Sequence, residues 1–329
     1  MLKGLVKNGL EVADNFFVSV GSGWAPKSGT LVTVLFHALY KNRAQVGDRS
    51  LAPNQEVTVA DFRRFVELML EYGYTVVSPA QVDAGLEPGG KYLMITFDDG
   101  YFNNTLALDV LEQFQVPAVF FVSTGHVLEN KAFWWDGFGR ELARSGATRR
   151  EQDAEIRRIK VSSPGKIEEF LRARYGASIL TPRSDLDRPF TPAELKHFAR
   201  SQWVHLGNHT LDHAILTSAS PREVARQVQG CQQALAAMAG QTPIAIAYPN
   251  GNYSREVVKA SLDAGLRIGV TCLPWRARLP LDGNKCRMTL GRFHLWGGRD
   301  IRQQCRKFST SFVPTHMLKT LMSSRLSIE

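Results

Sequence analysis

The segment Thr96-Phe97-Asp98-Asp99-Gly100 sets two carboxylates side by side at the end of an apolar run. Adjacent carboxylates repel, so their placement asks for a compensating cation. A divalent metal answers this if one aspartate ligates it and the other serves as a base for water. Gly100 permits the tight backbone that would aim both at one point. The competing reading is an ordinary Asp-Asp-Gly turn. A second segment, Gly207-Asn208-His209-Thr210-Leu211-Asp212-His213, holds two histidines four residues apart. On a helical turn these would share a face and could share a metal. The competing reading is a pair of surface histidines opening a helix. Joined with Asp99 they make a two-histidine, one-carboxylate set with positions left open for water and substrate, suited to Zn²⁺, Co²⁺ or Ni²⁺. A third segment, Ala247-Tyr248-Pro249-Asn250-Gly251-Asn252-Tyr253-Ser254, reads as a loop between a strand and a capped helix.

These segments need elements that carry them to one place. Apolar runs of strand length occur at Leu31–Phe36, Thr75–Val77, Tyr92–Phe97, Ala118–Val122, Trp203–Leu206, Ile244–Ala247, Leu266–Thr271 and Met288–Phe293. Runs of this kind are typical of parallel strands buried on both faces. Helices are predicted between them. Thr58 with Asp61 forms a capping-box pattern, and Ser78-Pro79, Thr191-Pro192 and Ser220-Pro221 each pair an N-cap residue with a first-turn proline. Strand-helix alternation with no GxGxxG after the first strand predicts an α/β fold, a distorted (β/α) barrel of about seven parallel strands. The three segments all follow predicted strands, as do His37 and His294, which is where parallel barrels carry their active sites. Residues 1–30 read as an N-terminal extension, residues 31–298 as the catalytic domain with a helical insertion at about 125–190, and residues 299–329 as a basic C-terminal tail.

TFDDG, then HTLDH, then a YPxGxY-type segment, in that order, resembles the polysaccharide deacetylase (NodB-homology) family, carbohydrate esterase family four. The resemblance covers roughly residues 31–295. It implies Asp98 as catalytic base and Asp99, His209 and His213 as metal ligands, usually for zinc. It implies removal of N-acetyl groups from a glycan or glycan precursor with release of acetate. O-acetyl esterase activity, or an inactive glycan-binding or scaffolding relative, are the alternatives. Many members carry an arginine in the third motif that positions the base, but Ala247 stands there, and Arg292 at the end of another strand is the substitute. The acid histidine is expected at His37, matching an early strand motif in one exopolysaccharide-deacetylase branch, with His294 second. A backbone N–H near Tyr248 and Pro249 is expected at the oxyanion, Trp134 and Trp135 as a sugar-stacking wall, and Asn208 or Asp212 as the partner orienting a ligand histidine.

The net charge of +9 suggests an anionic neighbour, with a solvated basic surface as the plain alternative. No nucleic-acid-binding signature is present, so nucleic acid is not expected as a partner. The tail carries Arg299, Arg302, Arg306, Lys307, Lys319 and Arg325, a candidate for peripheral contact with an anionic membrane. Cys231, Cys272, Cys286 and Cys305 show no CxxC spacing and predict no thiolate metal site. With no uninterrupted signal-peptide core and no apolar run of about 18 residues, the cytoplasm is the expected location.

Overall fold

The computed structural model describes residues 28–47, 51–52 and 54–310. Most of the expected N-terminal extension, and residues 311–329 of the tail with Lys319 and Arg325, lie outside the described residues.

The fold is α/β, a curled and mostly parallel sheet. Its path runs from Ala277–Arg278 through Thr30–Phe36, Lys91–Phe97, Ala118–Val122, Val204–Asn208 and Ala245–Ala247 to Ile268–Val270. Every neighbouring pair is parallel except the first. Residues Leu290–His294 link the ends of the curl. Leu290 bridges Val270, and Phe293–His294 then pairs in parallel with Val34 and Leu35. The predicted strand Met288–Phe293 is therefore only two residues of strand, because its backbone changes partners. Leu290 N donates to Gly269 O on one side and Arg292 N to Leu273 O, before the chain joins the first strand.

Strand alternation sorts the core. Val32, Val34, Phe36, Ile95, Phe97 and Phe120 face a layer of helices that contributes Phe62, Phe65 and Phe198. Leu31, Met94, Val119, Phe121, Ala247 and Val270 form the opposite cluster, inside the curl. Phe36 stacks on Phe97 at 5.1 Å and Phe97 on Phe120 at 4.8 Å. Such offset aromatic contacts stiffen the three strands just below their C-terminal ends. The helices begin where the caps predict, with full capping boxes at Thr58, Ser78 and Thr191.

Between residues 125 and 190 the chain is helical, with Trp134–Arg144, Arg149–Ile159 and Pro164–Tyr175 around a small core of its own. The helix Ile301–Ser309, within the expected basic tail, packs against the body. Ile301, Cys305 and Phe308 are buried in the main core. No helix among the described residues is long and apolar enough to cross a membrane.

Candidate active site

Strand register brings the site together. Phe36 pairs with Phe97, Phe97 with Phe120, Val122 with Asn208, and Ala247 with Val270. The residues that follow these strands, His37, Asp98, His209 and Tyr248, must therefore emerge on one rim. Beyond the rim the loops are held in unusual backbone. Asp99, Thr210, His213 and Asn250 all have positive φ, at 76°, 64°, 51° and 60°. Each costs of order 1–3 kcal/mol and persists only where its surroundings hold it. Here Asn208 Oδ1 accepts from Thr210 N at 2.9 Å, and Gln227 holds Asp212 N at 3.0 Å. Gly125 N donates to Leu211 O at 2.8 Å, and a Cβ on Gly125 would meet Asp212 Oδ1 at 2.6 Å.

His209 and His213 are thus on a looped segment rather than a helical turn, contrary to the spacing argument, and the left-handed residues turn them together. Asp99 Oδ1 lies 3.4 Å from His209 Nε2 and 3.5 Å from His213 Nε2. The three candidate ligand atoms fall within 4.8 Å of one another. Asp99 Oδ1 and His209 Nε2 are buried without a hydrogen-bond partner. Two orphaned polar atoms facing the same point cost roughly 1–3 kcal/mol each unless something joins them, and a divalent cation fits this donor set. His209 Nδ1 is 2.8 Å from Ala247 O. A carbonyl can only accept, so Nδ1 carries the proton and Nε2 presents its lone pair. Ala247 O therefore takes the orienting role expected of Asn208 or Asp212. Burial pushes His213 well below its ordinary value, aided by the charges of His209 and Lys160, which favours the neutral, ligating form.

Asp98 is 3 % exposed and Arg292 0 %. Arg292 Nη1 and Nη2 donate to Asp98 Oδ1 and Oδ2 at 2.7 and 2.8 Å, a bidentate fork. Nε donates to Thr271 O at 2.8 Å and Nη1 also to Thr96 Oγ1 at 3.2 Å. Burial alone would raise the Asp98 carboxyl. The charge of Arg292 and its hydrogen bonds, with His209 and His37 adding, overcome burial and bring it down to about 2. Asp98 Oδ2 stands 3.9 Å from His209 Nε2, so an ionised carboxylate borders the three-ligand cluster.

His37 and His294 both line a cavity of about 320 Å³, with Asp99, His213 and Trp135. Gln55 fixes His37. Its amide nitrogen donates to Leu35 O at 2.6 Å and Leu295 O at 3.1 Å, so its oxygen accepts from His37 Nδ1 at 2.7 Å. His37 Nε2 is then the ring nitrogen left for the cavity.

The chain as a whole has counterparts among known proteins. The family description "Polysaccharide deacetylase" matches residues 85–269, more than half of the chain. The chain belongs to the polysaccharide deacetylase family. It is an enzyme, a deacetylating hydrolase. It is 22% identical over 263 residues to the polysaccharide deacetylase homologue YxkH of Bacillus subtilis (strain 168), covering 78% of this chain and 70% of that one. In fold it resembles Streptococcus pyogenes deacetylase PplD, solved in complex with acetate, at TM-score 0.59 and 17% identity, over 86% of this chain and 100% of that one. It also resembles IcaB from Ammonifex degensii, at TM-score 0.58 and 16% identity, over 87% and 99% of the two chains.

Within this deacetylase the structure brings Asp98, Asp99, His209, His213, Arg292, His37, His294 and Trp135 together. Trp135 stands edge-on to His213 at 4.8 Å and donates Nε1 to Tyr101 Oη at 3.0 Å. Three of the expected residues lie away from the cavity. Trp134 is buried among Phe138, Ile167 and Leu171 in the insertion, because adjacent helical residues point to different faces. Tyr248 is fully buried, its N–H already donates to Val270 O at 3.2 Å, and Pro249 has no N–H. Neither reaches the cavity, whereas Asn250 of the same loop does. Sequence reasoning missed Gln55 and Asp136, and it offered Tyr101 only as an aromatic ring near the motifs. Tyr101 Oη donates to Asp136 Oδ2 at 2.8 Å, and Asp136 Oδ1 accepts from Ala52 N at 2.8 Å. Asp136 sits beside the two tryptophans in sequence, but nothing local signals its partners.

Proposed function

We propose that this deacetylase hydrolyses N-acetyl groups on a glycan or glycan precursor, with release of acetate, in a metal-dependent reaction. The observation that carries this reading is the juxtaposition of the orphaned Asp99 and His209 atoms with the ionised, arginine-clamped Asp98. Asp99, His209 and His213 would hold a divalent cation, zinc first and cobalt or nickel as alternatives. When bound, such an ion supplies Lewis acidity toward water and the acyl oxygen. Asp98 accepts the proton of the attacking water at a carboxylate oxygen that Arg292 keeps in place. His37, presented through Nε2 by Gln55, donates a proton to the departing amine as the carbon–nitrogen bond breaks. Trp135 closes one side of the cavity against His213 and would form one wall for the sugar. His294 shares the cavity and is the second choice for proton donor. An acetylated carbohydrate is the partner in this reading.

The test is acetate release from N-acetylated and O-acetylated oligosaccharides, with added Zn²⁺ and with chelator, comparing the wild type with Asp98→Asn. Release from the N-acetyl series that needs metal and is lost in the variant supports the proposal. Release confined to the O-acetyl series would make the enzyme an esterase. Release that persists in D98N would remove Asp98 as base.

A further inference from the structure

The helix Arg149–Ile159 of the insertion lies over the cavity and presents Asp153, Ile156 and Arg157 to it, with Lys160 at its C-cap. That spacing of three, four and seven residues is one helical face. The charges on this helix are largely matched. Arg157 pairs with Asp153, Arg158 with Glu155 at 2.9 Å, and Arg149 with Glu56 at 3.1 Å. Lys160 differs. Among the described residues its Nζ has no ion pair and no hydrogen-bond acceptor, yet its side chain is largely sheltered in the cavity wall. Nζ stands 6.0 Å from the centre of the Trp135 ring, the ring that abuts His213.

A sheltered ammonium without a counter-ion is unfavourable. The carboxylates that line the same cavity are otherwise engaged. Asp153 is bound to Arg157, Asp136 accepts from Tyr101 and Ala52, and Asp99 faces the two histidines. Among the described residues Lys160 is the one lysine in the cavity lining, and none of the carboxylates there forms an ion pair with it, Asp99 and Asp153 acting on it only from a distance.

We propose that Lys160 binds an anionic group, a carboxylate or a phosphate, carried by the substrate close to its acetylated sugar. The substrate class is then an acidic glycan or a phosphorylated sugar precursor rather than a neutral polymer. The proposal deepens the deacetylase reading and rests on it for the word substrate. The cavity is small enough that an anion reaching Lys160 is held near Trp135 and the Asp-His-His cluster. Lysine suits such a role because its compact charge sits on a flexible stem and accepts either geometry of oxyanion.

The experiment is calorimetric binding of three probes to the full chain: N-acetylglucosamine, N-acetylglucosamine 1-phosphate and N-acetylglucosaminuronic acid. Wild type, Lys160→Met and Lys160→Arg are compared, each with acetate release measured in parallel. The expected result is that wild type binds at least one anionic probe about tenfold or more tightly than the neutral one. The ratio should fall to within about threefold of unity in K160M and largely return in K160R. Which anionic probe gains the preference distinguishes phosphate from carboxylate. Equal affinities in wild type, or a preference that survives K160M, would overturn the proposal. Failure of the two readings is distinguishable. A Lys160-dependent preference with no acetate released from any probe or acetylated oligosaccharide upholds this site and sinks the deacetylase chemistry. Acetate release with no preference does the reverse.

Discussion

Replacing Arg292 by methionine should invert the way stability responds to pH. In the wild type the buried Asp98 carboxyl is held at about 2, against an ordinary value of 3.8. A folded value below the unfolded one means that the contribution is fully present above the unfolded value and lost as pH falls through the folded one. That contribution is worth about 2 kcal/mol. In R292M both guanidinium bonds to Asp98 and the compensating charge are gone, while burial remains. The carboxyl should then move above 3.8, and the sign reverses: stability is greatest in acid and declines as pH rises through the new value. Orphaning a buried charge costs about 3–5 kcal/mol at neutral pH, and less at pH 4, where Asp98 can take a proton. Urea unfolding from pH 4 to 8, with chelator present, measures this in wild type, R292M and the double variant D98N/R292M. The double variant should regain part of the loss at pH 8, because an amide carries no charge to orphan. A loss in R292M that is the same at every pH, or a double variant no more stable than R292M at pH 8, would refute the reasoning.

Three further outcomes follow from the same geometry. Gln55→Leu removes the acceptor that sets the His37 ring, so kcat should fall about tenfold or more with KM little changed; a kcat within twofold of wild type in steady-state kinetics would dismiss Gln55 as a positioning residue. Burial raises Asp136 to about 7, so its favourable contribution is present below the ordinary carboxylate value and lost as pH rises through 7. Asp136→Asn should therefore gain about 1 kcal/mol or more relative to wild type between pH 5 and pH 8, and urea titrations showing no such gain would contradict this. Gly125→Ala would place a Cβ 2.6 Å from Asp212 Oδ1 and 2.8 Å from Leu211 O. It should lose about 1–3 kcal/mol and weaken Zn²⁺ binding by displacing the loop that carries His209 and His213; thermal unfolding and metal titration equal to wild type would show that the loop has room.

Much of the site was legible because its key groups are local in sequence. Asp98 and Asp99 are neighbours, His209 and His213 are four apart, and each group follows an apolar run whose composition marks a buried parallel strand. Those features predict a rim of polar residues at the C-terminal ends of strands. They predicted the convergence of the two histidines by the wrong route, since a helical turn was expected and left-handed loop residues provide it instead. Backbone of that kind is set by the bonds from Asn208, Gln227 and Gly125, which no spacing rule contains.

What the sequence by itself determined is the order of strands and helices, the family, and the placing of an Asp pair and a His pair just after strands, because these follow from composition and adjacency. What only the tertiary structure decided is partnership. Arg292, offered from the sequence as the residue that positions the base, is given its two bonds to Asp98 across 194 positions, and Gln55, which the sequence did not offer, reaches Leu295 across 240. Trp135 rather than its neighbour faces the cavity, and Lys160 arrives there from the insertion. The physical reason is that hydrogen bonds and desolvation act over a few ångströms of space. Their energies depend on which groups the closed curl of strands brings within that distance, whatever their separation along the chain.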